Sequence, residues 1–314
     1  MSGPEPNGLV LRPNEPLGAQ QAAMIFVRRP VPGRVKTRLA AAVGPEAACD
    51  FYRACCEHVV SAIARCPDLQ ASTHIFIFFS EPSDESEIKR WMHGLLPSPN
   101  SLRFVSQVAG DVGARMQAAF QHVLALGYHR VVVVGTDIPD VSGATVAAAL
   151  SALRQHGVVF GLALDGGYYL LGLTAVRPCL FNAIDWSTER VLQQSLAALR
   201  ASGVADVAPL DSLPHLRDID TVRDLAAWLA DKLAARDNEG AVSAVGAGAT
   251  LSDCRRLGHE GDEVLRAGNA GVRSTDIPGC AAVAKAGEEV RVVQEAQGLT
   301  SQVARILSQT SVPY

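Results

Sequence analysis

The chain has 314 residues, 48% hydrophobic and 19% charged, with a formal net charge of −4. That length allows one large or two ordinary domains with a sizeable core. The balance of 28 Lys and Arg against 32 Asp and Glu excludes a general nucleic-acid binder, and no apolar run is long enough to span a bilayer.

In chain order, residues 1–21 carry four prolines with Glu5 and Glu15 but no apolar stretch, which predicts a flexible tail rather than a secretory signal. The expected location is the cytoplasm, with organelle targeting by this tail as the open alternative. From Ala22 onward short apolar runs alternate with helical patterns. Strands are predicted at 23–28, 74–80, 102–105, 130–135, 158–164, 168–173 and 204–210. Helices are predicted at 45–66, 84–94, 113–126, 142–156, 188–202 and 221–235. The β-branched run Val131–Val134 suits a strand covered on both faces. Such alternation points to an α/β sheet whose chemistry sits beyond the carboxyl ends of its strands. The catalytic domain is placed at 22–235. Beyond it, 236–314 is an appendage poor in periodicity, partly disordered, with a candidate amphipathic helix at 281–310. Seven cysteines without a C-x-x-C pair, and eight histidines without metal spacing, read as incidental.

Five cations fall between Arg28 and Arg38 in a loop that joins the first strand to a helix. Prolines stiffen this loop and Gly33 allows close backbone approach. Arg28, Arg34, Lys36 and Arg38 can therefore gather around a phosphate, although a solvated basic loop would look the same. Asp137 follows the valine strand, where it either holds Mg2+ or Mn2+ against a diphosphate or closes a turn. Gln107 to Gly113 precedes another helix, and its two glycines leave room for a ligand. Asp165-Gly166-Gly167-Tyr168 lies between two apolar runs: a hairpin turn, or a cleft-side acid that orients or deprotonates an acceptor hydroxyl. Asp185-Trp186-Ser187-Thr188 opens a helix, and capping leaves Trp186 unexplained. Asp220 is a second candidate metal ligand, while Thr221 and Asp224 approximate a capping box.

Six segments, P-V-P-G-R-V-K-T-R-L (30–39), Q-V-A-G-D-V-G-A-R-M (107–116), G-T-D-I-P (135–139), D-G-G-Y-Y-L-L-G-L (165–173), W-S-T-E-R-V-L (186–192) and D-I-D-T-V-R-D-L (218–225), together resemble the GT-A-like proteins known as radical-SAM/selenodomain-associated glycosyltransferases. That family is similar to the nucleotide-diphospho-sugar transferase superfamily. The resemblance covers roughly 30–230. It implies an α/β, Rossmann-like GT-A three-layer sandwich with a mostly parallel central sheet. It also implies a phosphate-contacting basic loop (Arg28, Gly33, Arg34, Lys36, Arg38, with Gln107 and Gly113) and a divalent metal, Mg2+ or Mn2+, on Asp137 and Asp220. Asp165 or Asp185 would then handle the acceptor, lined by Gly166, Gly167, Tyr168 and Trp186. Leu162 replaces the proline usual before the D-G-G-Y turn, and a D-x-D pair is missing, since Asp140 stands three residues after Asp137. The expected activity is a metal-dependent glycosyltransferase using a nucleotide-diphosphate sugar and an unspecified small-molecule acceptor. The alternatives are a nucleotidylyltransferase, in which a nucleoside triphosphate meets a sugar phosphate or phospho-acid with release of pyrophosphate, and a non-catalytic nucleotide-binding scaffold. No oligomeric state follows from these residues.

Overall fold

The valine run becomes a buried central strand, and five further strands assemble around it. The structure, a computed structural model, describes residues 20–70, 72–96 and 102–232. The predicted helix at 281–310 and the rest of the appendage lie outside the described residues. The strands are β1 (Gln21–Val27), β2 (Thr73–Phe79), β3 (Leu102–Ser106), β4 (Arg130–Val134), β5 (Val158–Leu162) and β6 (Tyr168–Leu173). The helices are α1 (Thr37–Val43), α2 (Pro45–Ala64), α3 (Pro67–Gln70), α4 (Glu85–His93), α5 (Val112–Ala125), α6 (Gly143–Ala152), α7 (Val191–Ala201) and α8 (222–232).

The sheet order is β3-β2-β1-β4-β6-β5. Strands β1 to β4 are mutually parallel, and β6 runs antiparallel to both β4 and β5. The carboxyl ends of β1 to β5 and the amino end of β6 therefore share one edge. Side-chain alternation assigns the two faces. Ala23, Ile25, Val27, Val132 and Val134 pack with α2 and α6 on one side. Ala22, Met24, Val131 and Val133 pack with α5 and α7 on the other. The result is a three-layer α/β sandwich with a mostly parallel sheet, as the sequence implies. A third cluster, Leu39, Phe51, Cys55, Leu225 and Trp228, seats α1 and α8 against α2.

Several expectations differ from the structure. Helix α7 begins at Val191 rather than 188, with Arg190 and not Ser187 or Thr188 as its N-cap, and the short helix α3 was not expected. The predicted strand at 204–210 is absent: Val207 makes one isolated bridge to Val158, and Pro209 lacks the N–H a longer ladder would need. Helix α1 was not predicted, because only Leu39 and Val43 in its seven residues are buried and its N-cap, Lys36, carries no side-chain cap. Among the described residues no helix is long and apolar enough to cross a membrane.

Candidate functional site

A cavity of about 990 Å3 opens along the shared strand edge, with one wall from each helical layer. On the α1–α2 side, Gly33 takes φ +78 and the 31–34 turn closes with an Arg34 N–H bond to the Val31 carbonyl at 3.0 Å. Val35 anchors the loop in the core at 4% exposure. Lys36 then adopts the left-handed conformation (φ 47, ψ 47), unusual and strained for a residue with a Cβ. This kink drives its side chain inward to 3% exposure.

Three carboxylates meet the buried ammonium. Lys36 Nζ lies 3.1 Å from Asp137 Oδ1, 3.3 Å from Asp218 Oδ1 and 2.9 Å from Asp220 Oδ1. Arg38 Nη1 approaches Asp220 Oδ2 at 3.4 Å. Burial alone would lower the Lys36 pKa, but the three carboxylates raise it well above the usual lysine value. Asp218 is pushed up to about 7 by burial, opposed by Lys36 and reinforced by Asp137 and Asp220. The local chain explains the convergence. Ile219 is fully buried, so its neighbours Asp218 and Asp220 both turn toward the cavity, and its N–H reaches the Asp137 carbonyl at 3.4 Å. Asp224 Oδ2 accepts from Thr221 N at 2.8 Å, and Thr221 Oγ1 accepts from Asp224 N at 3.3 Å. The predicted capping box is thus made by Thr221 and Asp224, which leaves Asp220 for the site.

Tyr52 and Thr136 brace the same wall. The Tyr52 hydroxyl accepts from Arg28 N at 2.8 Å and lies 3.3 Å from Thr136 Oγ1, which donates to the Phe26 carbonyl at 3.2 Å. Burial pushes the Tyr52 phenol well above its ordinary pKa. At the β2–β3 end, Gln107 Nε2 donates to the Phe78 carbonyl at 2.9 Å and its Oε1 accepts from Arg115 Nη1 at 3.3 Å. Arg115 Nε donates to the Gly110 carbonyl at 2.9 Å, so its guanidinium is fixed at the cavity wall.

The opposite wall comes from α5, β6 and the segment before α7. Phe26, Met116, Leu171, Tyr168, Trp186 and Val191 line it. Gly113 has no room for a side chain: a Cβ there would lie 2.4 Å from Trp186 Nε1 and 2.6 Å from its Cε2. At Gly166 (φ +90) a Cβ would lie 2.4 Å from the Glu189 carbonyl oxygen. These glycines let the 186–191 segment close against α5 and the β5–β6 turn.

Of the residues singled out in the sequence, Arg28, Lys36, Arg38, Gln107, Asp137, Asp165, Gly167, Tyr168, Trp186 and Asp220 line this cavity. Gly113 and Gly166 act as the clearances just described, and Gly33 shapes the loop. Arg34 faces a separate pocket of about 100 Å3, shared with Arg28, Arg29 and Arg115. The Asp185 carboxylate is outside the cavity lining, held by Gln194 at 2.8 Å and Arg190 at 2.9 Å. The Asp165 Oδ1 accepts from Gly167 N at 3.0 Å, so it closes the hairpin while facing the cavity. Asp140 turns away, toward Trp228 Nε1 (2.9 Å) and Lys232 (2.6 Å) on α8. Asp218, Tyr52, Thr136 and Arg115 were not singled out. Only Asp218 carried a readable signal, its spacing of two from Asp220 around an apolar Ile.

Among the described residues no group of three or more His, Cys, Asp or Glu forms a ready metal centre. The three carboxylates converge instead on an ammonium. Their chemistry still fits a hard divalent cation: all donors are carboxylate oxygens, and Asp137 and Asp220 are each 45% exposed, open to substrate and water oxygens. Those two residues would hold it.

Residues 64–188 match a family described as an uncharacterized protein conserved in bacteria, DUF2064. A solved structure from Desulfovibrio desulfuricans G20, provisionally named a nucleotide-diphospho-sugar transferase, is 33% identical with a TM-score of 0.58; the match covers 66% of this chain and 85% of that one. A 4-diphosphocytidyl-2C-methyl-D-erythritol synthase from Anaerococcus prevotii is 12% identical with a TM-score of 0.43, covering 66% and 93%. A cytidylyltransferase from Leptospira borgpetersenii is 11% identical with a TM-score of 0.39, covering 66% and 83%. No curated protein sequence matches significantly.

Proposed function

The chain belongs to the GT-A-like nucleotide-diphospho-sugar transferase superfamily, and from that premise we propose that it is a glycosyltransferase moving a sugar from a nucleotide-diphosphate donor to an acceptor hydroxyl. The carrying observation is the polarity of the cavity. Its cations, Arg28, Lys36 and Arg38 from the 28–38 loop and Arg115 from the start of α5, alternate with Asp111, Asp137, Asp218 and Asp220, whereas the β5–β6 turn, β6 and the segment before α7 contribute Asp165 and Glu189 and no cation. A diphosphate suits the first wall and an unphosphorylated acceptor the second.

In this reading the donor diphosphate lies along Arg28, Arg38 and Arg115, and Arg115 is held by Gln107 and the Gly110 carbonyl before it arrives. The acceptor oxygen bonds to the anomeric carbon while the carbon–oxygen bond to the diphosphate breaks. The bonding pair leaves with the nucleoside diphosphate, and the acceptor proton passes to the Asp165 carboxylate. The guanidinium groups offset charge growing on the departing phosphate. Lys36 holds Asp137, Asp218 and Asp220 in register. Bound Mg2+ or Mn2+ on Asp137 and Asp220 would supply further charge neutralisation.

One observation favours a second reading. The small pocket beside Arg28 and Arg115 adds Arg34, and Arg29 already paired with Asp84, to the cavity's cations, with Glu81 also in its lining. An additional phosphate, as a nucleoside triphosphate would require in nucleotidyl transfer, would sit there against Arg28, Arg34 and Arg115. Product analysis separates the two: nucleoside diphosphate marks glycosyl transfer and pyrophosphate marks nucleotidyl transfer. Calorimetric titration of nucleotide sugars and triphosphates, each with Mn2+ and with EDTA, tests both binding and metal dependence. Affinity for a nucleotide sugar that EDTA leaves unchanged removes the metal from the mechanism. Absence of any nucleotide binding removes the enzyme reading.

A further inference from the structure

The Lys36 ammonium stands where a cation shared by Asp137 and Asp220 would have to stand. Oδ1 of Asp137, Asp218 and Asp220 all turn to one point, and Nζ fills it at 3.1, 3.3 and 2.9 Å. The remaining oxygen of Asp220 faces Arg38 Nη1 at 3.4 Å, so both oxygens of that carboxylate already meet a cation. The two cations are held differently. Arg38 is 66% exposed, whereas Lys36 is 3% exposed and has three partners from two chain segments. Mg2+ binds carboxylate oxygens at about 2.0–2.1 Å, closer than any of these contacts. Among the described residues no ready metal centre forms, and the three carboxylates stand at ammonium distance.

Resting on the metal-bound form of the transferase reading, we propose that Lys36 is the resident counter-ion of this carboxylate trio and that a divalent cation enters by exchange with it. An ion on the same oxygens would lie only a few ångströms from Nζ, where like charges repel strongly in a site shielded from water. One of the two must therefore leave. Lys36 can yield because its flexible four-carbon stem already lines the cavity, so the ammonium swings into that space while the backbone stays. Asp137 and Asp220, each 45% exposed, then close on the incoming ion, and Asp218 brings a third carboxylate to the same point. In the free chain the lysine keeps three like charges together; after exchange the divalent ion does so. Lys36 thereby sets how tightly the metal binds, as well as where the carboxylates stand.

The test begins with calorimetric titration of the full chain with Mn2+ alone. Lys36→Met keeps a stem of similar length without the charge, and should bind Mn2+ at least about tenfold more tightly than wild type. Arg38→Gln removes an exposed charge beside the same carboxylate and should gain about threefold or less. Equal, weaker or absent Mn2+ binding in Lys36→Met overturns the inference. A larger gain in Arg38→Gln does the same, because the ion would then enter at the other Asp220 oxygen. Melting gives a second measure: Lys36→Met should melt below wild type, and Mg2+ should raise its melting temperature more than that of wild type. An equal Mg2+ shift in both overturns exchange. The wild-type chain supplies a measure independent of the variant's folding. With [13Cε]lysine labelling, the buried Lys36 signal should move toward the position of a solvated lysine as Mg2+ saturates the protein. Mg2+ binding with that signal unmoved overturns the inference and leaves the transferase reading, which nucleotide titration tests, standing. Exchange in a chain that binds no nucleotide keeps the inference and overturns the transferase reading.

Discussion

The wall around Lys36 and the wall around Trp186 face each other across one strand edge, yet different forces hold them. In the first, each charged group is positioned by another: one ammonium, set by a strained backbone, serves three carboxylates. In the second, position comes from volume, because Gly113 and Gly166 lack the atoms that would push Trp186 and Glu189 away. Damage to the first wall should therefore scale with charge, and damage to the second with added bulk. The difference also separates the two halves of a transferase: a fixed ionic frame for a diphosphate, and a shaped surface for the acceptor.

The largest effect is expected from Lys36→Ala. Removing a buried partner leaves mutually repelling carboxylates and should cost about 3 kcal/mol or more. At roughly 2–4 °C per kcal/mol for a domain of this size, the melting temperature should fall by about 10 °C. Donor affinity should fall at least a hundredfold. Lys36→Gly removes the same charge but relieves the left-handed backbone, about 1 kcal/mol, so it should melt above Lys36→Ala. Equal melting of the two variants would show that the kink stores no strain. Wild-type stability in both would remove the ionic account of this wall.

Gly113→Ala tests the other wall. The new methyl would sit inside the indole radius, so Trp186 must shift at a cost of about 1–3 kcal/mol. Acceptor KM should rise about tenfold while donor affinity stays, with a change in Trp186 fluorescence to confirm the movement. Loss of donor affinity instead would mean that the two walls are not separable.

The fold was legible because its strands are written in runs that burial demands, such as Val131–Val134, and because glycine and proline mark most turns. The ionic frame was half legible. The cations at 28–38 and Asp137 and Asp220 could be read as a group, but their convergence on one lysine depends on the positive φ of Lys36, which no residue type signals. Asp218 is as readable as Asp220 from its spacing of two around the buried Ile219. Asp185 looked equivalent to Asp165 in the sequence, and only the chain path shows it bound to Gln194 and Arg190. Contacts such as Tyr52 with Thr136 join residues 84 positions apart, a distance that local pattern does not carry.

A smaller effect is expected from Thr221→Ala, which removes the α8 cap. A lost cap costs about 1 kcal/mol, measurable as a lower urea midpoint at unchanged slope. Because the cap also orients the 218–220 segment, donor affinity should fall with it. A change in stability alone would show that Lys36 and Ile219 suffice to place Asp220.

The smallest effect concerns pH and reads the two sides of the sheet separately. His122 on α5 is held below the usual imidazole pKa by burial, its Nε2 without a hydrogen-bond partner beside the Phe78 ring. His58 on α2 is also held below that value by burial, with Asp140 pulling it up and Lys232 pushing it down. In both cases the unfolded chain takes up the proton first as the pH falls. Their share of stability is therefore complete above about pH 6.5 and declines as the pH falls toward the depressed folded values. His122→Leu should flatten part of that decline at any ionic strength, since among the described residues burial is what shifts it. The part removed by His58→Gln should change with salt, because Asp140 and Lys232 act on it through screened Coulomb forces. Urea unfolding at pH 5 and pH 7.5, in low and high salt, measures both shares. Identical salt responses in the two variants would mean that the α2 side is no more governed by charge than the α5 side.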